Sequence, residues 1–135
     1  QMLKDLAAAE IKLGVASSSK NCVPVLEAVD LLKTFSARVD GVVSAELDLS
    51  GKPEPDIFTN ACNMLGSTPA KSILVEDAVS GVQAGEKGNF GLTLGIAREN
   101  NVKELAENGA DFVVTDLEEV GGILGLNDLF LKNNQ

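Results

Sequence analysis

The chain has 135 residues, 44% apolar and 23% charged, with a net charge of −9; that is enough for one compact domain, residues 1–135, with a real core. The acidic balance, with no basic cluster, argues against nucleic acid or an anionic membrane as a partner. Histidine, tryptophan and tyrosine are absent. This excludes Ser–His–Asp and Cys–His catalysis and His-based zinc sites, and removes the rings that usually stack on bases. The chemistry left belongs to carboxylates, lysines, hydroxyls, backbone amides or a hard metal ion.

In chain order, residues 2–10 read as a helix, with Met2, Leu3 and Leu6 at helical spacing. The chain thus begins inside an element and reads as part of a longer protein. Residues 11–16 read as a buried parallel strand and 21–35 as a helix with Val25, Leu26, Val29 and Leu32 on one face. A short strand is expected at 39–45. The helix at 55–66 carries the stripe Ile57, Phe58, Ala61, Cys62 and Leu65 and stops at Gly66. A strand at 72–77, a helix at 78–88, a strand at 90–97, a helix at 101–109, a strand at 111–116 and a closing helix at 117–125 follow. Cys22 and Cys62 fall in helical segments without metal-site spacing and read as core thiols of a cytoplasmic protein rather than a disulfide. No apolar run approaches the length of a bilayer span. The alternation of strand and helix predicts an α/β fold, a parallel sheet with helices on both faces.

Ligands in such folds sit beyond the carboxyl ends of the strands. After the strand at 11–16 come Ser17, Ser18, Ser19, Lys20 and Asn21. Their hydroxyls, ammonium and amide can all donate to phosphate oxygens at a helix N-terminus, although a serine-rich N-cap has the same composition. After the strand at 39–45 comes GKPEPDIF, 51–58, where Lys52 is placed to neutralise a phosphate as a point cation or simply to stay solvated in a proline turn. Its bond to Pro53 is a candidate cis peptide. After the strand at 72–77, Glu76 and Asp77 supply adjacent carboxylates suited to Mg²⁺; Asp77 alternatively caps the next helix. Gly81 within that helix costs about 1 kcal/mol relative to alanine, which points to close packing.

GKPEPDIF and VEDAVSGVQAG, with SSSKN upstream, resemble the haloacid dehalogenase superfamily of phosphotransferases, nearest its β-phosphoglucomutase-like branch. The resemblance covers nearly the whole chain. It implies a Rossmann-like three-layer α/β/α core. It implies that Ser17 binds the phosphoryl group being transferred, that Lys52 neutralises it, and that Glu76 and Asp77 hold Mg²⁺. Ser18 counts with the substrate-binding residues, and Ser19, Lys20 and Asn21 correspond to residues that grip the distal phosphate of a sugar bisphosphate in the mutases. The implied partner is a small phosphorylated sugar and the implied reaction the interconversion of β-hexose 1-phosphate and 6-phosphate. A phosphatase of the same branch and a non-catalytic fragment are the alternatives.

The sequence departs from that family at its first motif. The family opens on a strand followed by an aspartate nucleophile and, two residues later, an aspartate acid/base, and then a helical cap. No such pair follows an N-terminal strand here; Asp48-Leu49-Ser50 lacks the second acid. In the family the missing strand is central, between those matching 11–16 and 72–76. Unpaired backbone groups buried at such edges cost of order 1–3 kcal/mol each. A missing N-terminal segment or a second chain is therefore expected to complete the sheet, and the chain by itself is expected to be inactive.

Overall fold

A computed structural model describes residues 11–16 and 37–135. The helices expected at 2–10 and 21–35, and Cys22, lie outside the described residues. Strands β1 (Gly14–Ala16) and β2 (Ala37–Val39) pair in parallel, with Gly14 opposite Ala37 and Ala16 opposite Val39. Helices α1 (Gly41–Glu46) and α2 (Asp56–Met64) follow. Strand β3 (Ile73–Glu76), helix α3 (Val79–Lys87), strand β4 (Leu92–Ile96), helix α4 (Val102–Glu107), strand β5 (Phe112–Val114) and helix α5 (Gly122–Asn133) complete the order. β3, β4 and β5 form a second parallel sheet, in that spatial order, with Glu76 opposite Gly95 and Ile96 opposite Val114.

β4 explains the layering. Its five residues are all buried, as expected for a parallel strand covered on both faces. Leu92, Leu94 and Ile96 face one way and pack with Val114, Val120 and Leu126, under Ile123, Leu129 and Phe130 of α5. The other face meets the opposite helices: Thr93 lies against Gly85 of α3, and Gly95 against Leu105 of α4. Helices thus cover both faces of a parallel sheet, the expected α/β three-layer arrangement. α2 links the two sheets, because Ile57, Phe58 and Ala61 pack with Val39 of β2, Leu74 of β3 and Ala84 of α3, with Ala16 of β1 against the same cluster. Cys62 is buried in this helix as a free thiol. Among the described residues no strand joins the two sheets, so the sheet is incomplete there.

Two expectations need correcting. The strand expected at 39–45 ends at Val39, and Gly41–Glu46 is helical. The reason is Asp40, whose Oδ1 accepts from the backbone N–H of Val42 at 3.0 Å and of Val43 at 2.9 Å. That N-cap outweighs the β-preference of two valines. The closing helix expected at 117–125 is instead a 3₁₀ turn, Leu117–Val120, followed by α5. Gly121 separates them at φ 85°, a left-handed conformation that ends the first turn and that glycine adopts at no steric cost.

Candidate active site

The loop between α1 and α2 carries Lys52. Leu49 N–H donates to the Ser44 carbonyl at 2.9 Å, and Glu54 N–H donates to the Gly51 carbonyl at 3.0 Å. Ser50 N–H donates to Oδ2 of Asp56, in the first turn of α2, at 3.0 Å. Outside the loop, Lys87 of α3 meets Glu54 at 2.9 Å. The Lys52–Pro53 peptide is cis. The Lys52 ammonium lies at the end of β3, where its Nζ stands 3.8 Å from Oε2 of Glu76.

Glu76 is held from the other side. Its Oε1 accepts from the N–H groups of Asp77 at 3.0 Å and Ala78 at 3.2 Å. Glu76 thus takes up the two N–H groups just before α3, whose N-cap residue is Ala78 and which carries no side-chain cap, so the alternative of an Asp77 cap is not what forms. The Glu76 side chain folds back over Gly81. A Cβ there would sit 1.8 Å from Glu76 Cγ, so the close packing read from the sequence is the packing of the carboxylate against a bare helix turn. Burial raises the Glu76 carboxyl above its ordinary value of 4.5, and the neighbouring Asp77 adds to this. The Lys52 ammonium and the Asp77 N–H pull the other way.

Asp77 is different. Its side chain is 53% exposed and its Oδ2 lies 3.7 Å from Nε of Arg98, just beyond β4. Two adjacent acids flanked by two cations therefore follow one another along this edge: Lys52, Glu76, Asp77 and Arg98. The adjacent carboxylates are hard oxygen donors that suit Mg²⁺. Among the described residues no group of three or more His, Cys, Asp or Glu gathers to hold a metal, so water or phosphate oxygens would have to supply the other ligands. A cavity of about 580 Å³ on the flank of α3, lined by Pro53, Gln83, Glu86 and Lys87 among others, includes neither Lys52 nor the two acids.

The structure thus brings together Lys52, Glu76 and Asp77. Ser17, Ser18, Ser19, Lys20 and Asn21 lie outside the described residues; β1 ends at Ala16, immediately before them. Sequence reasoning missed Arg98 and Asp56. Arg98 follows a strand end, so the rule that drew attention to the other three loops could have found it. Asp56 stands in the first turn of α2 within GKPEPDIF and had a local signal of its own.

Residues 1–89 match the haloacid dehalogenase-like hydrolase family. The β-phosphoglucomutase of Mycobacterium bovis is 43% identical over 121 residues, covering 87% of this chain and 46% of that protein. The validoxylamine A 7′-phosphate phosphatase of Streptomyces hygroscopicus subsp. limoneus is 29% identical over 125 residues, covering 89% of this chain and 54% of that protein. Among solved structures, the β-phosphoglucomutase of Clostridium difficile superposes with a TM-score of 0.81 at 25% identity, over 97% of this chain and 54% of its own. The chain spans about half the length of the relatives it matches. By its fold, its motifs and the match over residues 1–89, the chain belongs to the haloacid dehalogenase-like hydrolase family.

Proposed function

We propose that this chain forms part of a Mg²⁺-dependent sugar-phosphate phosphotransferase of β-phosphoglucomutase type, which interconverts β-hexose 1-phosphate and 6-phosphate. The observation that carries the reading is the convergence of Lys52 with Glu76, beside Asp77, at one end of β3. The phosphoryl group is transferred through an aspartyl-phosphate on an aspartate supplied from outside this chain. Lys52 offsets charge on the transferring group, and the Ser17 hydroxyl donates to it. Ser18, Ser19, Lys20 and Asn21 bind the substrate, and the last three hold the distal phosphate while the sugar reorients. Glu76 and Asp77 hold Mg²⁺, which when bound neutralises phosphate charge. The segment that brings the aspartate also supplies a strand between β1 and β3, whose facing edges find no partner among the described residues.

A phosphatase of the same family is the second reading, favoured by the name of the S. hygroscopicus relative. The test is to incubate the complete polypeptide with β-glucose 1-phosphate and Mg²⁺, with and without a sugar bisphosphate primer. Primer-dependent formation of glucose 6-phosphate supports the mutase. Net release of inorganic phosphate without primer supports the phosphatase. No turnover under either condition, in a folded sample, overturns both and leaves a non-catalytic role.

A further inference from the structure

We propose that Arg98 is a counter-ion that a divalent cation must displace from Asp77, so that it sets how tightly this edge takes metal. This rests on the metal reading of Glu76 and Asp77 given above. The two acids are not equivalent. Glu76 commits Oε1 to two backbone N–H groups and turns Oε2 toward Lys52. Asp77 has no such commitment among the described contacts of its carboxylate; the cation recorded beside it is the Arg98 guanidinium, 3.7 Å from Oδ2. Asp77 is therefore the carboxylate whose charge is most available to an incoming metal, and Arg98 is the group in its way.

The charges make the competition specific. Lys52 and Arg98 together cancel Glu76 and Asp77, so the edge is neutral with both cations in place. A divalent ion bonded to Asp77 would stand within a few ångströms of the guanidinium, where like charges repel. Arginine cannot relieve this by losing its proton. It can move, because the pair is longer than a hydrogen bond and the Arg98 side chain is 70% exposed. That exposure makes the latch weak and its effect a matter of affinity, not of fold.

Mn²⁺ is the probe, with free Mn²⁺ followed by electron paramagnetic resonance in titrations of the complete polypeptide. Arg98→Met should tighten Mn²⁺ binding about two- to fivefold, the range open to an exposed ion pair. Arg98→Lys, which keeps the charge, should stay within about twofold of the parent on the same scale. Unfolding or loosening of the loop would weaken binding, so a gain in affinity separates competition from a structural role. Equal or weaker binding by Arg98→Met overturns the proposal, as does equal tightening by Arg98→Lys. Failure of the parent itself to bind Mn²⁺ overturns the metal reading and this inference with it, whereas parent binding that Arg98→Met leaves unchanged overturns this inference alone.

Discussion

Two ion pairs share one edge of this molecule, and they are built differently. Lys52 and Glu76 are 23% and 11% exposed, with the carboxylate pinned by two N–H groups and seated over Gly81. Asp77 and Arg98 are 53% and 70% exposed. A charge pair removed from water interacts strongly and is costly to break, whereas one at the surface is screened and exchanges partners cheaply. The inner pair suits a fixed element of the site, and the outer pair suits a part that gives way.

Replacement of Lys52 sharpens that contrast most. Lys52→Met in the complete polypeptide should lower kcat about 10²- to 10³-fold, as loss of a charge-stabilising donor does. Steady-state kinetics at saturating Mg²⁺ checks this, and a loss below tenfold would break the distinction. Gly81→Ala comes next. The added methyl cannot coexist with the present position of Glu76, so a stability loss of about 1–3 kcal/mol is expected from overpacking. Denaturant unfolding measures it. Asp56→Ala should cost about 1 kcal/mol, because the Ser50 N–H loses its acceptor and α2 its first-turn carboxylate.

The pH dependence tests the inner pair without removing either partner. Glu76 titrates above its ordinary value of 4.5 because burial disfavours its charge. A carboxyl raised on folding binds its proton more tightly in the native state. Its contribution to stability is therefore full below 4.5 and is lost as pH rises through the native value. Lys52 opposes that rise, so Lys52→Met should move the loss to higher pH. Unfolding free energies of the two proteins across the acid range would show it; a window that fails to move breaks the inner pair. The smallest effect belongs to an exposed contact. Lys87→Ala, which removes the pair to Glu54 at half-exposed side chains, should change stability by less than about 0.5 kcal/mol.

Much of this architecture was legible in the chain. The runs at 72–77 and 90–97 are apolar and closed by polar loops, so β3 and β4 lie within the expected bounds. Leu65 and Gly66, and Asn108 and Gly109, end α2 and α4 as glycine stops. The segment after β2 was misread because Val42 and Val43 favour a strand on their own; the side chain of Asp40 reverses that through two hydrogen bonds. The split at Gly121 was missed because the apolar spacing runs through it unbroken.

The site divides the same way. Residue type and position at a strand end were enough to single out Glu76 and Asp77, because a parallel α/β sheet sends its loops to one edge; Lys52 was singled out as following a strand, whereas helix α1 separates it from β2. Which acid is buried, which is exposed, and that Glu76 rather than Asp77 takes up the N–H groups leading into α3 are decided only in three dimensions. Those outcomes depend on a helix turn without a Cβ at Gly81 and on a lysine brought in by a separate loop. Arg98 belongs there too: its position after a strand end was legible, but its place beside Asp77 comes from the parallel pairing of β3 with β4, a long-range contact.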